Sequence, residues 1–75
     1  MNWVTIKHYG RKAKCHSLES LHSTLTEQYA NHSVTIINTL ANGLNKTFFV
    51  TVRDDGTLVK TYDEQKDVSL NAFVF

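Results

Sequence analysis

Hydrophobic and polar positions alternate with a period of two through most of this chain, and one stretch departs from that rhythm. Residues 3–8 set Val4 and Ile6 on one side and Trp3, Thr5 and Lys7 on the other, the pattern of a half-buried strand. Tyr9-Gly10-Arg11-Lys12 predicts a turn, after which Ala13 and Cys15 return on the inner face of a second short strand. The alternative is one strand followed by a basic loop. Over residues 18–30 the spacing changes to Leu18, Leu21, Leu25 and Tyr29, a narrow apolar stripe on a helix. Ser17 is placed to cap its start, and Glu19 suits the positive end of the helix. The Ser and Thr content gives a low intrinsic helix propensity, so packing on a sheet must hold it.

Alternation resumes at Val34. Asn42-Gly43 and Asp55-Gly56 divide the remainder into an expected meander of three antiparallel strands over 34–40, 46–53 and 58–62. Two-residue turns at both pairs set the expected register. They oppose Ile37 to Phe48 and Ile36 to Phe49 across the first turn. Across the second they oppose Val52 to Val59, Val50 to Thr61 and Phe49 to Tyr62. The competing geometry at Asp55-Gly56 is a type I turn with the glycine in a bulge, which opposes Val50 to Lys60. Under the two-residue turns Ile37, Phe48, Val50, Val52 and Val59 face inward. Val34, Ile36, Leu40, Phe49, Leu58 and Tyr62 then face outward with Arg53 and Lys60. That outer face is too apolar to be left to water. The tail carries Val68, Leu70, Ala72 and Val74 on one parity and Phe73 and Phe75 on the other. It is expected to add an edge strand, to fold over the outer face, to dock on a second chain or to close the chain's own core, with residues 63–67 as a polar connection before it.

These elements make a single α+β domain over residues 1–75: a β-hairpin or strand, one helix, then the meander. The helix is expected to pack on an antiparallel sheet of four or five strands. At 75 residues the chain is near the lower limit for independent folding, so its stability margin is small. Its one cysteine excludes an intramolecular disulfide framework. No apolar run approaches the ~20 residues that span a bilayer, and Met1 leads straight into a strand pattern. The expected setting is therefore cytoplasmic, with no membrane partner.

Net charge is only +1, yet it is unevenly spread. Lys7, Arg11, Lys12 and Lys14 stand near the start with no acid among them. Asp54, Asp55, Asp63, Glu64 and Asp67 make the last third acidic. His8, Cys15, His16 and His22 lack the local pairing of structural zinc sites, and Cys15 reads as a small core residue. The glycines are isolated in turns, with no phosphate loop or dinucleotide fingerprint. The sequence therefore predicts no enzyme and no cofactor or metal.

Two binding surfaces are predicted. One is the basic patch of Lys7, Arg11, Lys12 and Lys14, interleaved with Trp3, His8 and Tyr9, which combines cations for phosphates with rings that stack on bases. The other joins Phe49, Arg53, Lys60 and Tyr62 of the outer face to Phe73 and Phe75 of the tail, aromatics backed by charge as at protein interfaces. The element order over residues 3–62 resembles that of small inhibitor proteins made by phages and mobile elements, among them some anti-CRISPR proteins. That resemblance implies a small inhibitor or regulator that occupies a site on a protein or nucleoprotein target without chemistry. Direct nucleic-acid binding through the basic segment is the alternative function. A homodimer or larger homo-oligomer, sealed by the tail and acting as a structural or accessory subunit, is another.

Overall fold

The computed structural model describes residues 2–75, with the side chain of Asp63 outside the description. The strands are β1 (Trp3–His8), β2 (Arg11–Cys15), β3 (Ser33–Thr39), β4 (Asn45–Val52), β5 (Leu58–Lys60) and β6 (Asp63–Val68). The helix α1 (Leu18–Gln28) lies between β2 and β3, and a short 3-10 turn (Leu70–Ala72) follows β6. All six strands form one antiparallel sheet in the order β2-β1-β3-β4-β5-β6. The α+β class stands, and the sheet has six strands rather than four or five. The added one is β6, in the segment expected to be a polar connection.

The two-residue turn falls at Tyr9-Gly10, where His8 opposes Arg11 and both loop residues have positive φ (50° and 80°). At the Asx-Gly pairs the chain makes a different turn. Gly43 donates to the Leu40 carbonyl and Leu40 to the Leu44 carbonyl; Gly56 donates to the Arg53 carbonyl and Arg53 to the Thr57 carbonyl. Each is a three-residue loop: a type I turn closed by a glycine at φ +86°. Each Asx side chain accepts from the N–H two residues on, Asn42 from Leu44 at 3.1 Å and Asp55 from Thr57 at 2.9 Å. At Asp55 the Thr57 hydroxyl, and then this N–H, favour the carboxylate and hold its pKa below the ordinary value.

This corrects the expected register by one residue at both turns. Ile36, not Ile37, opposes Phe48, while Leu58 opposes Val52 and Lys60 opposes Val50. A one-residue slip turns every side chain of a strand over. Val34, Ile36 and Leu58 therefore point into the core, where each is buried. Packing decides the turn: the three-residue geometry removes these aliphatics from water.

One face of the sheet builds the core. Val4, Ile6, Cys15, Val34, Ile36, Val50, Val52 and Leu58 meet Leu21, Leu25 and Tyr29 of α1. The Ser17 hydroxyl caps the helix by accepting from Ser20 N–H at 3.1 Å. At the far end Tyr29 caps the helix, its N–H donating to the Leu25 carbonyl at 3.1 Å, and Asn31 at φ 66° then turns the chain into β3. Leu18, the first member of the expected stripe, is exposed.

The tail lies on this same core face, so of the alternatives open to it the one in which it closes the chain's own core holds, and it does not fold over the outer face. Phe73 is buried edge-on against Phe48 at 5.0 Å between ring centroids. Asn38 fixes it there. This fully buried amide donates to the carbonyls of Trp3 (3.1 Å) and Val74 (2.9 Å) and accepts from Val74 N–H (2.8 Å). Every strong polar group of the side chain is thus paired inside the core, as a buried amide requires. Among the described residues no helix is long and apolar enough to cross a membrane.

Candidate binding face

With helix and tail on one side, the other face of the sheet has no element of the chain lying across it. The ladder registers place its side chains in rows. Lys12, Lys7, Thr35 and Phe49 form one row, Lys14, Thr5, Ile37 and Thr47 the next, with Trp3 and Thr39 beyond. Thr51 and Val59 continue the face toward β6. Adjacent strands lie about 4.8 Å apart, so the row from Lys12 to Phe49 spans about 14 Å.

This face has a direction. Its β2–β1 end is cationic, with Lys7 directly opposite Lys12. The Lys14 ammonium sits over the Trp3 ring, 4.6 Å from its centroid. Its middle carries Trp3, Ile37 and a ladder of threonines. Its β4–β5 end has Phe49, half exposed, meeting the exposed Tyr62 edge-on at 5.9 Å. Arg53 pairs loosely with Asp67 at 3.9 Å, both well exposed and so contributing little to stability. That pair flanks a small hollow of about 160 Å³ lined by Thr51, Arg53, Val59 and Glu64.

Strands β1 to β4 contain no acidic residue. Like charges directly opposite in a ladder oppose strand pairing, and nothing on these strands offsets the Lys7–Lys12 pair. An anion laid across β1 and β2 would.

The predicted site residues are thus divided. Lys7, Lys12 and Lys14 share the open face with Phe49 and Arg53. Arg11 opposes His8 and turns to the helix side, as does Lys60 after the register slip. Tyr62 sits in the turn after β5, against Phe49. Phe73 is core, which removes it from any surface, while Phe75 is partly exposed beside it. The residues missed from sequence are the threonines Thr5, Thr35, Thr39, Thr47 and Thr51. Thr5 shares its strand face with Trp3 and Lys7 in the sequence, whereas Thr35 and Thr39 join it only through the observed β3–β4 register.

The other candidate chemistry stays apart from this face. Cys15 is buried in the core, its thiol 4.0 Å from the Thr24 hydroxyl. His8 packs edge-on with Tyr9, Tyr29 and His32 on the helix side. No group of three or more His, Cys, Asp or Glu side chains converges among the described residues. No family model, no curated protein and no solved structure matches this chain. The functional reading rests on the chemistry of the face itself.

Proposed function

We propose that this chain is a non-enzymatic binding module working through its open sheet face, and that the face takes single-stranded nucleic acid, free or displayed by a nucleoprotein. The observation that carries the reading is the unneutralised Lys7–Lys12 pair, with Lys14 beside it, next to Trp3 on a sheet face with no acid over β1–β4. Lysines neutralise phosphates, exposed rings stack on bases, and threonine hydroxyls donate to phosphate or sugar oxygens. Nothing in the arrangement asks for catalysis or a cofactor.

Fluorescence anisotropy with a labelled oligothymidine across a salt series tests this. Three phosphate contacts give a log K against log salt slope of about −2, and Lys12→Ala lowers its magnitude by about 0.7. Absence of binding at low salt removes the reading.

A second reading is favoured by the exposed Phe49–Tyr62 pair. There the chain is a small cytoplasmic inhibitor or regulator, of the kind phages encode, docked on a protein or nucleoprotein target. Target binding that is insensitive to salt and lost in Phe49→Ala selects it over the first.

A further inference from the structure

The sheet is incomplete along one strand. β4 runs over Asn45–Val52, but β5 pairs only with Val50, Thr51 and Val52 before the chain turns at Thr61 and Tyr62. One further bond, from Thr61 N–H to the Phe49 carbonyl at 2.7 Å, closes the ladder. In an antiparallel strand alternate residues direct both backbone groups to the same side. Leu40 donating to the Leu44 carbonyl, and Val52 donating to His32 and accepting from Asn31, assign the even-numbered residues to β3. The N–H and C=O of Asn45 and Thr47, and the N–H of Phe49, therefore point away from β3 into the space that a longer β5 would fill.

That space is shaped for a side chain. A pocket of about 260 Å³ beside it is lined by Thr47, Phe48, Phe49, Lys60 and Tyr62. This is below the ~300–1,000 Å³ of small-molecule sites and suits one or two side chains of a peptide. The edge is also charged. Lys46 and Lys60 lie on its helix side, and β3, β4 and their connection contain no acid. Lys46 lies within the unpaired segment and is the cation that an acidic peptide would meet there.

From this we infer that residues 45–49 of β4 form a docking edge for an extended acidic peptide segment, which adds to the sheet in line with β5. Backbone bonds to Asn45, Thr47 and Phe49 supply the register. On the helix side an acidic residue meets Lys46, and on the open side an aromatic or β-branched residue enters the pocket beside Phe49 and Tyr62. The edge is separate from the lysine rows on β1 and β2, so it does not depend on the nucleic-acid reading.

The test uses the full chain and labelled octapeptides in which Asp alternates with Val or Phe, with Lys-for-Asp versions as controls. Thr47→Pro removes an outward N–H while leaving the β3 ladder intact, a position where sheets tolerate proline. The expected result is binding of the acidic peptides, at least tenfold weaker in Thr47→Pro and severalfold weaker in Lys46→Glu. Thr47 and Phe49 amides should gain protection from hydrogen exchange on binding. If Thr47→Pro fails to fold, Lys46→Glu and the exchange pattern decide. The inference is overturned by no peptide binding, by equal binding of the Lys versions, or by protection elsewhere. It is also overturned by a dimer in light scattering that already protects these amides and that peptide does not displace.

Discussion

Asn38 carries an unusual weight for an asparagine in a strand, and its removal is the sharpest stability test. Asn38→Ala deletes three hydrogen bonds, two to Val74 and one to Trp3. At about 1 kcal/mol net each they contribute about 3 kcal/mol, and the Val74 N–H and carbonyl lose their partner with the amide. A 75-residue domain holds about 4–11 kcal/mol in all, so the variant should lose a large share of its stability. The reason would be release of the tail, and that is separable from a local defect. Phe73→Ala alone should cost about 3–5 kcal/mol for an aromatic removed from the core. If Asn38 acts by holding the tail, the double variant should cost little more than the larger single one, with a coupling of about 2 kcal/mol or more. Urea unfolding followed by far-UV circular dichroism and by Trp3 fluorescence measures all three. An Asn38→Ala loss below about 0.5 kcal/mol refutes the reasoning. So does strict additivity with Phe73→Ala.

Other outcomes follow from the same geometry. Gly56→Ala should destabilise by about 1–3 kcal/mol from positive φ alone, and by more than Gly43→Ala. A methyl at Gly56 meets Thr26 Cγ2 at 3.0 Å, whereas one at Gly43 meets nothing within 4 Å; thermal unfolding of the two variants compares them. Asp55 should titrate below an ordinary aspartate in a carbon-detected NMR pH series. Its pKa is lowered by folding, so its contribution is present at neutral pH and lost as pH falls through that lowered value, below about pH 4. Asp55→Asn should remove that part of the acid dependence. Leu21→Ala should cost about 2–5 kcal/mol, since Leu21 is fully buried, whereas Leu18→Ala should cost under about 1 kcal/mol, and chemical denaturation distinguishes them.

Much of this fold is legible in the chain because period is a robust signal. β1, the helix with its Ser17 cap, β3 and β4 fall where alternation and the Leu21–Leu25 spacing place them. The turn type at Asn42-Gly43 and Asp55-Gly56 is not legible from the dipeptide. Both geometries need a glycine at positive φ, and the choice is made by distant packing of Ile36, Leu58 and Gly56. β6 escapes notice because its residues Asp-Glu-Gln-Lys-Asp-Val show no apolar alternation; Val68, at its end, reaches the core. The apolar tail reads as a segment that must be buried, but which face it covers depends on the register of the strands beneath it. Nothing in the sequence marks Asn38, which is the post to which the backbone of Val74 is tied.

The candidate site was half legible for related reasons. Lys7, Lys12 and Lys14 follow from strand parity within the first hairpin, while Phe49, read as part of a separate surface, joins them through the β1–β3 pairing. Lys60 moved with the register, and Phe73 moved with the tail. The apolar load assigned to the outer face mostly turned inward, so that face is a threonine and lysine platform rather than a hydrophobic patch awaiting a cover.

An amide-resolved NMR titration with oligothymidine at low salt tests the central claim most directly, since it reads which face the ligand touches. Shifts are expected at the Trp3 indole N–H and at Thr5, Lys7, Lys12, Lys14, Thr35 and Ile37, with α1 silent. Shifts concentrated on α1 and the His8–His32 end, or none at all, contradict it.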